Sequence, residues 1–515
     1  MRRRRVMTIA SVAVSALAVT APTARAQSSA ATSPSSPTVS TEIPDTPAGQ
    51  RFRRWLAAFN TGSRDSLRRV IREQSAPPPN DTVPVDGMAG RQFGLYGETK
   101  GLVFRRVEAS TPERITASVQ TKFTGAWMMV GMSVSPDSLH RVLGMGFRNT
   151  LAPAELLPKR PFTERAIRDS VDTMLDRLVR ADAFSGVVVV AKDGKPIYQR
   201  AVGLADRRWN VPNRVDTRFN IASIGKMFTA VAVAQLVQQG KLSYDDTLAK
   251  LLPEYPSRDI ARRISVRQLL SHTSGIAQGF DFDRSFRRGL RTVKQYLPTT
   301  DSDSLHFEPG TRLEYSNYGY LLLGAIVERA SGRDYYDYVR EHVYGPAGMT
   351  RSDSYELDTE PANLATGYMD APGGERRSNV FMLPVKGVPS GLGYATALDL
   401  VRFQQALTSK VLLDSASLAQ VWTGVKPYSD PNSEYGFGFI VSRYNGTRII
   451  GHGGGWVGIT NKFDMYPDLG YTVVILSNID SNPNAIAFRL REWLTAGRTS
   501  AQSRSSGDSG RVGAS

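Results

Sequence analysis

"NIASIGKMFTAVAVAQLVQQG", Asn220 to Gly240, decides how this chain is read. It contains Ser223-Ile224-Gly225-Lys226, a serine and a lysine three residues apart, at the head of a long apolar run that Gly240 closes. A helix N-terminus gathers unpaired N–H groups and the positive end of the dipole, so a serine in its first turn holds hydroxyl and amide there. A lysine three residues on lies on the same face, one turn along, beside the hydroxyl it must activate. A capping serine followed by a solvated lysine gives the same letters. Such a pattern arises on the order of once by chance in a chain of this length. The tetrapeptide therefore needs partners.

One partner is "LEYSNYGYLLLGAIVERASG", Leu313 to Gly332, where Tyr315-Ser316-Asn317 opens a second apolar helix. A tyrosine is mostly protonated at its free pKa of about 10, and a nearby lysine ammonium favours its phenolate. Packing and capping account for the same two residues if they stand alone. The other partner is "IGHGGGWVG", Ile450 to Gly458, with strand-like flanks. A lipase-type glycine loop would need a G-x-S-x-G elbow, and there is none. The "GDSG" at Gly507 to Gly510 sits in a polar tail and is a chance look-alike. A phosphate cradle would need a glycine loop opening a helix, and His140, His272, His306 and His342 show no metal-ligand spacing.

Together and in this order, S-x-x-K, Y-x-N and a late glycine triplet resemble the serine β-lactamase and penicillin-binding-protein superfamily. The class C β-lactamase-related branch of esterases, D-aminopeptidases and DD-carboxypeptidases is the nearest in pattern. "ISVRQLLSHTSGI", "GRDYYDYVREHVYGPAGM", "PSGLGYATALDLVRF" and "YGFGF" carry the same likeness, which covers about 163–497. The resemblance implies an α+β fold: a β-lactamase/transpeptidase-like antiparallel sheet with flanking helices and a helical lobe. It implies that Ser223 is acylated, that Lys226 assists its deprotonation, and that Tyr315 is the general acid–base. It implies that Asn317 orients substrate and lysine. It also implies that His452, Gly453 and Gly454 stand where the family has Lys-Thr/Ser-Gly, with the N–H groups of Ser223 and Gly455 as the oxyanion hole. Glycine on that strand keeps the approach open. The resemblance calls for no metal or organic cofactor.

His452 is the departure. A β-lactamase has a lysine here to hold a substrate carboxylate, whereas histidine is mostly neutral at pH 7. That tilts the expectation towards an esterase or peptidase, with a hydrogen bond from imidazole to the Tyr315 hydroxyl. D-Ala-D-Ala carboxypeptidase or β-lactamase activity, or penicillin and peptidoglycan binding without turnover, is the alternative. His272, in "SHTSG", is expected to serve as a structural turn.

The rest of the chain sets the frame. It has 515 residues and no cysteine, which excludes disulfides, thiol nucleophiles and cysteine-ligated metals. Arg2 to Arg5, an apolar stretch to Ala21 and the Ala24-Arg25-Ala26 site read as a cleavable signal over 1–26, so export to the periplasm or medium is expected, without stable membrane insertion. Losing the five leader arginines lowers the formal charge from +16 to +11. Those charges are dispersed rather than blocked, which argues against nucleic acid. The expected partner is a small ester or amide, or a cell-wall peptide. Residues 27–47 read as a disordered linker and 498–515 as a disordered tail.

Between them, 48–150 reads as a small α+β accessory domain. Its helical pair carries Phe52, Trp55, Leu56 and Phe59 on one face. Strands are expected at Leu102–Val107, Arg114–Phe123, Ala126–Val134 and His140–Phe147, a combination resembling the ketosteroid-isomerase-like (cystatin-like) cone. The hydrolase domain, 163–497, opens with a helix and an Asp193-Gly194 hairpin expected to pair with the terminal strands.

Overall fold

The computed structural model describes residues 40–76, 85–276, 289–299, 304–370 and 375–498. The leader, most of the linker, and the tail beyond Arg498 with its Gly507–Gly510 look-alike lie outside the described residues. Two compact units divide the rest. One takes 218–443 and 448–472; the other takes 40–217, 444–447 and 473–498.

The unit that begins at 40 opens with the helices Pro47–Asn60, Arg64–Gln74 and Val85–Thr99. Thr46 and Ser63 cap the first two by accepting the N–H groups of Gly49 and Ser66. Four antiparallel strands follow in a simple meander: Leu102–Ser110, Arg114–Thr121, Trp127–Val134 and Val142–Thr150. Phe52, Trp55 and Phe59 sink into a core with Ile115, Val119 and Val130. The expected linker ends earlier than 47, because Ser40 already bridges Val107. The fourth strand begins at Val142, because His140 takes a left-handed φ of 44° in the turn before it. The third helix was not expected. Its four glycines disfavour helix by about 1 kcal/mol each. Packing overrides them: Ala89 is buried and Gln92 accepts the indole N–H of Trp55 at 2.8 Å.

In the same unit, the helix Glu164–Arg180 buries Ile167, Val171, Met174, Leu175 and Leu178. Gly186–Lys192 and Lys195–Val202 form a hairpin over Asp193-Gly194, both left-handed as a tight two-residue turn requires. Tyr471–Ser477 lies on the other side of Gly186–Lys192 in the sheet order.

The other unit holds the functional motifs. A 3-10 turn, Ala222–Gly225, leads into the helix Lys226–Gln238. The helix is buried without a break from Lys226 to Ala234, as befits an apolar run with no polar stripe. Its neighbours include the helix Asn317–Ser331, capped by Ser316 and closed by left-handed Gly332. Five strands lie side by side in chain order: Lys426–Tyr428, Asp430–Tyr435, Ile440–Tyr444, Thr447–Trp456 and Ile459–Tyr466. No helix among the described residues is long and apolar enough to cross a membrane.

Candidate active site

Ser223 sits in the 3-10 turn rather than in the α-helix expected of it, and Lys226 is the first helical residue. The 3-10 turn brings the two side chains onto one line, because three residues per turn makes i and i+3 eclipse. The turn is held on two sides. The Ile221 N–H donates to Gly393 O at 2.8 Å, and Asn220 Nδ2 donates to Leu392 O at 2.9 Å. On the strand side, Asn461 Nδ2 donates to Asn220 O at 2.9 Å. Ala222, next to the nucleophile candidate, is forced to φ +44°, a costly conformation for a residue with a Cβ.

Lys226 is fully buried. Its Nζ lies 2.7 Å from Asn317 Oδ1, 2.6 Å from Ser390 O and 3.3 Å from Ser223 Oγ. It also stands 4.7 Å from the centre of the Tyr315 ring. No carboxylate among the described residues pairs with it, so burial pushes its pKa well below the ordinary lysine range. A neutral amine has two N–H bonds and one lone pair. In that neutral form Asn317 and Ser390 accept the two N–H bonds, and the lone pair is what remains for the hydroxyl of Ser223. Ser390 was missed in the sequence because it contributes a backbone carbonyl, which any residue type could supply.

Tyr315 is half-buried and hydrogen-bonded to the Ser223 side chain. Burial holds its pKa well above the tyrosine value, with Tyr428 adding to the rise. The phenol is therefore the resting form. The phenolate expected beside an ammonium is disfavoured by the burial of the phenol itself.

On Thr447–Trp456, His452, Gly454 and Trp456 share one face, opposite Phe463, Asn461 and Ile459 in the antiparallel register. A Cβ on Gly454 would stand 2.2 Å from Ile221 O, so only glycine lets this strand press against the turn that carries Ser223. Gly455 is exposed and a Cβ there would meet nothing within 4 Å. Around this corner Ala222, Leu392 and Ile459 form a small apolar cluster, with Trp456 and Leu383 packed on it.

His452 is buried and does not bond Tyr315 as expected. Its Nε2 lies 3.0 Å from the Tyr435 hydroxyl, and its Nδ1 contacts Gly453 O. A carbonyl can only accept, so Nδ1 carries the proton and Nε2 receives the Tyr435 O–H. Burial lowers its pKa to about 3, with the Lys462 charge adding to the fall. Tyr435 lies on Asp430–Tyr435, in the "YGFGF" stretch, but nothing in the letters pairs it with a histidine on a later strand.

The structure thus brings Ser223, Lys226, Tyr315 and Asn317 into direct contact and sets His452, Gly454 and Gly455 on the strand against their turn. The family model described as Beta-lactamase matches residues 164–496. Penicillin-binding protein 4* of Bacillus subtilis is 29% identical over 331 residues, 60% of this chain and 72% of that one. Esterase EstB of Burkholderia gladioli is 30% identical over 371 residues, 62% of this chain and 93% of its own. A crystal structure of D-amino acid amidase from Ochrobactrum anthropi SV3 with D-phenylalanine superposes with a TM-score of 0.56 at 26% identity, covering 64% of this chain and 98% of that one.

Proposed function

Since the chain belongs to the β-lactamase family and is a β-lactamase-related serine hydrolase, we propose that it is exported and cleaves an ester or small amide through an acyl-enzyme on Ser223. The observation that carries this reading is the double use of Lys226. With both N–H bonds taken by Asn317 and Ser390, its lone pair removes the Ser223 proton as Oγ attacks the carbonyl carbon. The developing oxyanion is received by the N–H groups of Ser223 and Gly455. Tyr315, a phenol at rest, gives its proton to the leaving atom, and the phenolate left behind faces the new Lys226 ammonium 4.7 Å from its ring. Water then attacks the acyl ester, giving one proton back to the site and releasing the acid.

His452 supports an ester or small amide over a substrate gripped by a free carboxylate. It is neutral, buried, and tied to Tyr435, so it offers no cation where a β-lactamase places one. D-Ala-D-Ala carboxypeptidase or β-lactamase turnover is the second reading, and the family of its relatives keeps it in view. Residues 1–26 are the export signal in this proposal, and the helices and meander of 48–150 are an accessory domain.

A fluorophosphonate probe, p-nitrophenyl esters, D-amino-acid amides and nitrocefin, assayed on wild type and Ser223→Ala, test the proposal. Ester or amide turnover with labelling that disappears in Ser223→Ala is expected. Labelling that survives Ser223→Ala sinks the assignment, and rapid nitrocefin turnover moves the protein to the second reading.

A further inference from the structure

The loop Ser271 to Gly275 follows the helix Val266–Leu270 and runs beside the segment that delivers Tyr315. Contacts between the two are regular. Gly275 O accepts the His306 N–H at 2.8 Å, Thr273 O accepts the Gly310 N–H at 2.7 Å, and His272 O accepts the Glu314 N–H at 2.9 Å. One residue past Tyr315 the contact passes from backbone to side chain. His272 Nδ1 accepts the Ser316 N–H at 3.1 Å. His272 therefore bonds the residue before Tyr315 and the residue after it, one with its carbonyl and one with its ring.

The ring also touches Tyr315 directly, with centroids 4.1 Å apart. Tyr320 and Tyr435 flank it at 5.1 Å and 4.5 Å. Nδ1 receives a donor, so the proton is on Nε2, and that buried N–H has no hydrogen-bond partner among the described residues. Aromatic faces surround it instead, the weak acceptors left to such a group. To place the ring here, His272 takes a φ of +58°, which a residue with a Cβ seldom adopts. A simple turn would be served better by glycine or asparagine. The strain and the buried nitrogen both call for a function beyond turning the chain.

We propose that His272 is a positioning residue for Tyr315: its carbonyl and imidazole bracket the tyrosine, and its ring fixes the plane of the phenol that must reach the leaving atom. This deepens the serine-hydrolase reading and rests on it. Tyr315, and hence leaving-group protonation, then stands under the control of a residue that is itself buried. Burial keeps the ring neutral, which preserves the acceptor.

The test compares two esters of one acyl group, an alkyl ester whose alkoxide needs a proton to leave and a p-nitrophenyl ester whose phenolate does not. His272→Phe keeps a ring and removes the acceptor. It is expected to lower kcat/KM for the alkyl ester about 100-fold, the size of a general-acid contribution, and for the p-nitrophenyl ester less than tenfold. His272→Asn, whose amide oxygen can take the Ser316 N–H and whose backbone tolerates positive φ, is expected to recover most of the loss. In a Tyr315→Phe background, His272→Phe should add nothing for the alkyl ester. Should the phenylalanine variant not fold, His272→Ser, too short to reach Ser316, takes its place with the same expectations. Equal losses on both esters, no rescue by asparagine, or a full additional loss in the Tyr315→Phe background overturns the inference. Fluorophosphonate labelling of Ser223, followed alongside, separates this failure from failure of the serine-hydrolase reading.

Discussion

Adding one methyl group at Gly454 and one at the adjacent Gly455 should have opposite outcomes. A Cβ on Gly454 would stand 2.2 Å from Ile221 O, and 3.1 Å from both Ile221 C and Asn461 Nδ2. A carbon–oxygen contact settles at about 3.3–3.6 Å, so strand and nucleophile turn must separate by roughly 1 Å. Nothing flexible can absorb the shift, because the offending atoms are backbone and Asn461 is itself bonded to Asn220 O. A 1 Å misplacement of reacting groups costs about 100-fold in rate, and overpacking costs about 1–3 kcal/mol of stability. Gly454→Ala should therefore lower kcat for a p-nitrophenyl ester about 100-fold and depress Tm by several degrees, with the fold intact by circular dichroism. Gly455→Ala meets nothing within 4 Å and should stay within a few-fold of wild type in both. Wild-type kcat in Gly454→Ala, or an equal loss in Gly455→Ala, would refute the idea that close approach of this strand sets the site.

Two further outcomes follow from buried groups. Lys226→Met keeps the volume and loses the lone pair, so ester turnover should fall by about 10²–10⁴-fold while the thermal midpoint holds or rises, since a desolvated buried amine is removed. A midpoint that falls sharply would show that the bonds to Asn317 and Ser390 outweigh desolvation. His452 has a folded pKa of about 3 against about 6.5 unfolded, so between those values the unfolded chain binds the extra proton. Its contribution is complete above pH 6.5 and is lost as pH falls towards 3, at up to about 1.4 kcal/mol per pH unit. Urea titrations across that window should show a shallower pH dependence for His452→Gln than for wild type, and identical slopes would contradict the assigned burial.

The site and the fold were not equally legible in the sequence. Ser223, Lys226, Tyr315 and Asn317 lie at helix starts, where spacing and chemistry coincide, and the structure brings those four into contact. The partner of His452 was not legible. Its strand and that of Tyr435 are brought together by sheet order, which no local pattern encodes. Ser390 acts through a carbonyl, and its serine side chain gave no hint of that. The helix Val85–Thr99 was hidden by its four glycines, because its stability comes from Ala89 and Gln92 meeting the core rather than from its own propensity.

Ser223, Lys226 and Tyr315 are synthesised well before Thr447–Trp456, the strand that closes on their turn. On the proposed mechanism, a growing chain thus holds nucleophile, base and acid and still lacks Gly454 against Ile221 and the amide of Gly455. Competence then depends on a late and long-range contact, the kind that forms slowly. An unfinished chain carries the reactive serine without the means to use it.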